Sequence, residues 1–353
     1  MKIAIDISPL KSGHGQRGVG KYTKSLIEAL EKYEKRNTYI LFTRGQNIPK
    51  NADLVHYPYF DPFFLTLPFR KTKPTLVTVH DVIPLVFPDK FPAGLRGNLK
   101  WQAQKVSLKG AARIITDSNS SKRDIVRITG VNGKRIDVVY LAPPAAYKLI
   151  KDKIILRKVR RKYKIPESFI IYTGDVNWNK NISGLLHAFS RLSTFDFRIS
   201  TNLVLVGSSF LNLSLAEARE INTLIDNLRL NNRIIRPGYV SEDDLVCLYS
   251  QALCLVQPSH YEGFGLPVLE AMACGCPSVV ANNSSLSEIA GPSILVDAND
   301  VQSIAMGMEK VISMSDTERL NMVRLGIEWS SLFTWKKVAE STATSYESVL
   351  EQL

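Results

Sequence analysis

The chain has 353 residues, 45% of them hydrophobic and 22% charged. That is ordinary globular composition, which excludes wholesale disorder and collagen-like repetition, and the length suggests about two domains. The formal net charge of +12 is unevenly spread: residues 1–165 hold 33 Lys+Arg against 12 Asp+Glu, and residues 166–353 hold 12 against 21.

In chain order, short β-branched runs predict strands over 2–7, 39–43, 54–56, 75–80, 113–116 and 136–140. Amphipathic segments between them predict helices over 21–33, 95–110 and 120–130. The pattern then restarts. Strands are expected over 169–173, 202–206, 233–236, 252–257, 278–281 and 294–296, with helices over 182–192, 215–228, 243–250, 267–273, 301–313 and 316–329. Strands alternating with helices signal parallel sheets. The expected fold class is α/β, two Rossmann-like doubly wound domains. A dense basic stretch, Lys148 to Lys164, has nine Lys or Arg in seventeen residues and lies between the two sets. It places the expected boundary near residue 165, with domains over 1–165 and 166–333. Ligands of such sheets bind at the carboxyl ends of strands, here expected in a cleft.

Four cysteines are too few for a disulfide framework in a chain this long. The opening MKIAIDISPL has an Asp inside its short apolar run, so it reads as a strand rather than a signal peptide or membrane span. A reducing cytoplasm is the expected compartment. Cys274-x-Cys276 is too short a spacing for a zinc site and reads as buried packing. Trp101 and Trp335 read as packing anchors, and His56 as a structural residue at a strand end. Aromatics in the run Tyr57 to Phe64, followed by Arg70, Lys71 and Lys73, suit an anionic membrane surface. They would also suit nucleic acid, but no helix-turn-helix or RNA-binding signature accompanies them.

Two loops carry candidate ligand chemistry. After the first strand, Ser12-Gly13-His14-Gly15-Gln16-Arg17-Gly18-Val19-Gly20 leads into a helix. Glycines there allow close backbone approach, and a helix start favours an anion. Thr23 stands where the third glycine of a dinucleotide fingerprint belongs, which argues against an NAD(P) oxidoreductase, the alternative enzyme class. The second loop is more informative: His260-Tyr261-Glu262-Gly263-Phe264-Gly265-Leu266-Pro267-Val268-Leu269-Glu270. Pro267 suits a first helical turn, whose N–H groups can receive a diphosphate. Glu270 lies one turn in, and helical side chains lean toward the N-terminus, so its carboxylate would reach back toward ribose hydroxyls of the same ligand.

The segment from His260 to Ala281 resembles the signature of retaining family 4 glycosyltransferases, which have the GT-B fold. Resemblance continues over most of the chain: Tyr172-Thr173-Gly174 with Asn179-Lys180-Asn181, Leu205-Val206-Gly207, Pro237 to Ser241, Thr78-Val79-His80-Asp81, Asp117 to Asp124, and Phe333-Thr334-Trp335. It implies a final helix crossing back to complete the N-terminal domain with residues 334–353.

It also implies roles. The donor would be a nucleotide-sugar, GDP-mannose or a UDP-sugar. Glu270 would accept ribose hydroxyls, Glu262 would contact the donor sugar with the N–H groups of Gly263, Phe264 and Gly265 nearby, and Leu266 would also line the donor. Gly174 and Lys180 would serve the diphosphate, with Tyr239 and Val240 beside the base. From the first domain, His80 would reach the donor sugar and Gly18 and Gly20 would approach the phosphates. Catalytic roles thus fall to Glu262, His80 and Lys180, with no metal and no separate cofactor expected. The resemblance to mannosyltransferases further implies a glycan or lipid-linked acceptor in cell-surface polysaccharide synthesis, reached by peripheral contact with the inner face of the membrane. One departure stands out. Asp175 and Asn179 occupy positions where many relatives carry Arg, which leaves an inactive GT-B scaffold as a further alternative. Arg17 and Lys21 are the candidates for a second cation.

Overall fold

The alternating runs fold as two parallel sheets, one in each of two units. The computed structural model describes residues 1–11, 18–192 and 201–351. Unit 1 comprises Met1–Ala142 and Phe333–Leu353, and unit 2 comprises Pro143–Leu332.

Unit 1 runs β1 (Lys2–Asp6), α1 (Ser8–Lys11), α2 (Gly18–Tyr33), β2 (Thr38–Phe42), β3 (Leu54–Tyr57), β4 (Thr75–Thr78), α3 (Ile83–Val86), α4 (Gly94–Lys109), β5 (Arg113–Thr116), α5 (Asn119–Thr129) and β6 (Ile136–Val138). Its strands lie in the order β2-β1-β3-β4-β5-β6, every neighbouring pair parallel. Unit 2 runs α6 (Lys153–Lys162), β7 (Phe169–Thr173), α7 (Ile182–Leu192), β8 (Asn202–Val206), α8 (Ala216–Asn227), β9 (Ile234–Gly238), α9 (Glu242–Tyr249), β10 (Leu255–Gln257), α10 (Leu266–Ala273), β11 (Ser278–Ala281), α11 (Leu286–Ile289), β12 (Ile294–Val296), α12 (Val301–Ile312) and α13 (Asp316–Ser330). Its order is β12-β11-β10-β7-β8-β9, again all parallel. Renumbered within the unit, that is the 3-2-1-4-5-6 order of dinucleotide-binding sheets read from the far edge, with its reversal point between β7 and β10.

Near-continuous apolar sequence makes the central strands. Every residue of β3, β4, β7 and β11 is buried, as strands covered by helices on both faces must be. Helix starts follow their caps. Ser118 Oγ accepts from Ser121 N at 3.0 Å to begin α5, and Gly130 closes it in the left-handed region. Ser315 and Glu318 form a reciprocal capping box on α13.

The last helix, α14 (Trp335–Leu350), packs in unit 1 on α2, β4 and β5. Val338 and Val349 are buried there, each contributing roughly 1.5–3 kcal/mol. Arg36 pairs with Glu347 at 2.9 Å, and Ser345 Oγ donates to Asp137 at 2.8 Å.

The boundary differs from the expected one near 165. Residues 143–165 belong to unit 2 because the basic stretch is a helix, not a linker. Asp152 caps α6 by accepting from Ile154 N and Ile155 N. Arg160 then donates to Gln251 at 2.7 Å, while Lys162 and Tyr163 both donate to Asp244 on α9, at 2.6 and 2.8 Å. Dense charge hid the helical period in the sequence. The charge division changes with the boundary: unit 1 holds 26 Lys+Arg against 14 Asp+Glu, and unit 2 holds 19 of each. The whole net charge of +12 therefore resides in unit 1. Much of the aromatic run is core rather than surface, since Tyr57 and Phe60 are buried and Phe64 is exposed.

Candidate active site

In unit 2 the loops after β7 and β10 flank the sheet's reversal point, where ligands of such sheets bind. The β7 loop leaves through Gly174, whose N–H donates to Val206 O at 3.1 Å. The same kind of bond joins Gly207 N to Gly238 O at 3.0 Å, so the ends of β7, β8 and β9 are tied in a row. Tyr172 OH donates to Asp175 O, and Asp175 Oδ1 accepts from Val176 N. Asp175 thus shapes the turn.

Next comes a tight turn, Trp178–Lys180, held by Asn179 within it and Asn181 just after it. Asn179 Nδ2 donates to Tyr261 O at 2.9 Å. Asn181, at φ 53°, donates to the carbonyls of Pro258 and Ala298 at 3.0 and 2.7 Å, and its Oδ1 caps α7 through Gly184 N. Trp178 stacks on His260 with centroids 5.1 Å apart. These contacts fix Lys180 between the two loops.

Lys180 Nζ reaches both oxygens of Glu262, at 2.9 and 2.7 Å. Glu262 Oε1 also accepts from Gln257 Nε2 at 2.9 Å and Ser259 Oγ at 2.8 Å. A buried carboxylate is tolerated only with such a full set of donors. Its backbone is held as firmly: Glu262 N donates to Ser284 Oγ, and Ser285 Oγ donates to the carbonyls of Glu262 and Phe264. Gln257 Oε1 is buried beside this pair with no hydrogen-bond partner. Sequence reading assigned nothing to Gln257, Ser259, Ser284 or Ser285. A polar Gln closing the apolar strand β10 was the available signal.

The same loop begins α10. Gly265 sits at φ +100°, and a Cβ there would meet Leu286 Cδ2 at 2.5 Å, so only glycine makes this entry. Gly263, Phe264 and Gly265 are buried, Leu266 and Pro267 half-buried. Glu270 is half-buried one turn in. Its charge is felt by Tyr147 and Tyr249, whose hydroxyls are pushed up first by burial and then by Glu270. Tyr249 OH bonds Thr173 Oγ1 at 2.6 Å, which ties α9 to the end of β7. Tyr239 follows β9 and is exposed, whereas the Val240 side chain is buried.

Unit 1 holds a second acid–base pair. His80 follows β4 and Asp117 follows β5; His80 Nδ1 and Asp117 Oδ2 are 2.7 Å apart. Burial works to lower the histidine's pKa. The charge and hydrogen bond of Asp117, with the charge of Asp81, outweigh burial and hold His80 above its ordinary value. Tyr22, from the α2 that begins at Gly18, sets its ring edge-on to His80 at 4.5 Å. Gly20 is buried and Gly18 exposed at that helix start. Behind lies His56, fully buried between Tyr346 OH at 2.8 Å and Thr78 Oγ1 at 2.9 Å. Burial, then the charge of His80, pulls its pKa down to about 3, so it is a neutral structural residue.

Of the candidate second cations, Lys21 is exposed on α2. Arg17, with the rest of Ser12–Arg17, lies outside the described residues. All four cysteines are buried and free. Among the described residues there is no cluster of three His, Cys, Asp or Glu able to hold a metal, and no helix long and apolar enough to cross a membrane.

Comparison with known proteins agrees with this geometry. The family "Glycosyl transferases group 1" matches residues 156–329, and "Glycosyltransferase Family 4" matches residues 35–142. The O-antigen chain mannosyltransferase B of Escherichia coli is 28% identical, over 98% of this chain and 92% of that protein. Sucrose-phosphate synthase of Thermosynechococcus elongatus superposes with a TM-score of 0.76 at 19% identity, covering 100% of both chains. HepE of Anabaena, crystallised with UDP and glucose, superposes with a TM-score of 0.74 at 18% identity, covering 99% of this chain and 100% of that one. Two family matches that divide the chain between them, a near full-length relative and a shared fold leave no place for the oxidoreductase alternative: the chain carries the glycosyltransferase group 1 and glycosyltransferase family 4 domains, in the GT-B fold, of a retaining glycosyltransferase.

Proposed function

We propose that this enzyme transfers mannose from GDP-mannose, with retention, to a glycan or lipid-linked acceptor in cell-surface polysaccharide synthesis, working at the inner face of the membrane. The observation that carries the reading is the Lys180–Glu262 pair, fixed at the reversal point of the unit 2 sheet beside the start of α10. The mannosyl choice follows the name of the Escherichia coli relative. A nucleotide-sugar as substrate is supported by the UDP and glucose in the HepE structure.

On this reading the diphosphate meets the N-terminus of α10, where helix dipole and N–H groups favour an anion. Gly174 lets the β7 loop approach it. Glu270 accepts the ribose hydroxyls, and Tyr239 covers the base beside Val240. Glu262 faces the sugar, and the unpartnered Gln257 Oε1 offers an acceptor for a sugar hydroxyl. His80 donates to the sugar, and the α2 start at Gly18 and Gly20 serves the phosphates. As the bond from the anomeric carbon to the phosphate oxygen breaks, the acceptor oxygen bonds that carbon from the same face. The acceptor's proton passes to the departing phosphate oxygen. Lys180, held beside Glu262, offers its positive charge to that oxygen, so catalysis is positioning and leaving-group stabilisation. Residues act without a metal in this scheme.

A panel of GDP- and UDP-sugars tests it, each with and without EDTA. The expected outcome is release of GDP from GDP-mannose, unchanged by EDTA. Turnover of no sugar nucleotide at all would sink the proposal, and turnover confined to UDP-sugars would overturn the donor.

A further inference from the structure

Helix α4 is built inside out. Its inward side carries the polar Gln104 and Ser107, both buried, beside Trp101 and Leu108. Its outward side carries Leu95, Leu99 and Val106, which are 85%, 73% and 57% exposed. The inward polar residues have a task. Gln104 Oε1 accepts from Thr66 N, Thr66 Oγ1 and Leu67 N at 2.9–3.0 Å. Ser107 Oγ donates to Pro68 O at 2.7 Å, and Lys71 Nζ donates to Ser107 Oγ at 3.0 Å. The segment 62–71 is thereby pinned along α4, holding Phe64, Leu65 and Phe69 outward at 63%, 57% and 73% exposure.

Single exposed apolar residues are common on soluble proteins, but six large ones on two segments fastened together are not. Their charge setting is equally one-sided. Residues 62–74 and 94–109 together hold seven Lys or Arg and no Asp or Glu. Lys100 Nζ stands 5.2 Å over the Phe64 ring, so cation and apolar group are interleaved rather than separate.

We infer that the outward face of α4 with segment 62–71 docks on an anionic phospholipid bilayer. The leucines and phenylalanines enter the boundary between headgroups and acyl chains, and the surrounding cations meet the headgroups. A second copy of the chain suits this face poorly, because a two-fold contact would set one acid-free basic patch against its own image. The inference deepens the membrane part of the proposed function and rests on it for its purpose, which is to bring the enzyme to a lipid-linked acceptor.

Flotation with vesicles of phosphatidylcholine, alone or with about one-third phosphatidylglycerol, tests it at low and high salt. Wild type is expected to float with the anionic vesicles. The double variant Leu95→Ser/Leu99→Ser should bind at least about tenfold more weakly at both salt levels. Arg96→Gln/Lys100→Gln should lose about fivefold per cation at low salt and little at high salt. The serine variant should keep the wild-type thermal unfolding midpoint, since both positions are exposed. Wild type that ignores anionic vesicles at low salt, or a serine variant that floats equally well, overturns the inference. So does a wild-type dimer that the serine variant dissociates, because the face would then be a protein interface. Sugar-nucleotide turnover without vesicles separates the two proposals. It should be equal in wild type and both variants. Vesicle binding by a wild type that turns over no sugar nucleotide would sink the functional reading while leaving the docking surface supported.

Discussion

Each sheet carries an acid–base pair, its carboxylate buried, joining the loops that follow two adjacent strands. In unit 2 Lys180 and Glu262 follow β7 and β10; in unit 1 His80 and Asp117 follow β4 and β5. Placement distinguishes them. The first pair straddles the reversal point of its sheet, while in unit 1 the order reverses between β1 and β3 and the second pair lies beyond it. Chemistry distinguishes them too. The Glu262 carboxylate accepts from two further side-chain donors besides Lys180, as a fixed buried charge requires. His80 and Asp117 leave buried polar atoms, His80 Nε2 and Asp117 Oδ1, without a hydrogen bond. The lesson is that one pair is built to persist and the other to respond to pH.

Breaking the fixed pair has the largest expected effect. Lys180→Ala leaves Glu262 buried with only Gln257 and Ser259 as side-chain donors. Transfer should fall about 10²–10³-fold, and unfolding free energy by about 2 kcal/mol, since part of Lys180 remains in water. Steady-state kinetics and urea unfolding measure the two. Full activity in this variant would remove Lys180 from the leaving-group role.

Asp117→Asn should have a smaller effect with a distinct pH signature. In wild type the folded-state pKa of His80 is raised. The stability it contributes is therefore present below the ordinary histidine value of about 6.5 and fades as pH rises through the folded value. Without the Asp117 charge, burial dominates and the imidazole becomes neutral. The stability deficit of the variant should then be greater near pH 6 than near pH 9, and activity at neutral pH should drop about tenfold. An NMR titration of His80 checks the cause. An unshifted titration would show that Asp117 does not govern the histidine.

Much of this was legible in the sequence, for identifiable reasons. Strands such as β5, β7, β8 and β11 fall on the expected residues because buried parallel strands are runs of apolar and β-branched residues. Glycine and proline punctuation located α10 and the Glu262 loop. Other features escaped because they depend on partners distant in sequence. Lys180 and Glu262 were expected in separate roles, and only the pairing of β7 with β10 brings them together. Gln257 and Ser285 carry no motif. Helix α6 was hidden by its own charge, and with it the division into compact units at 142/143. The outward leucines of α4 were read as ordinary helix periodicity, because a helical repeat does not say which face meets the core.

Central to the account is that the nucleotide is held chiefly by unit 2, through the start of α10 and Glu270. Calorimetric titration of GDP into wild type, Glu270→Gln and Asp117→Asn tests this most directly. GDP should bind wild type and Asp117→Asn alike, and Glu270→Gln at least about tenfold more weakly. Equal affinity in Glu270→Gln and wild type, or no binding of GDP or UDP to any of the three, would contradict it.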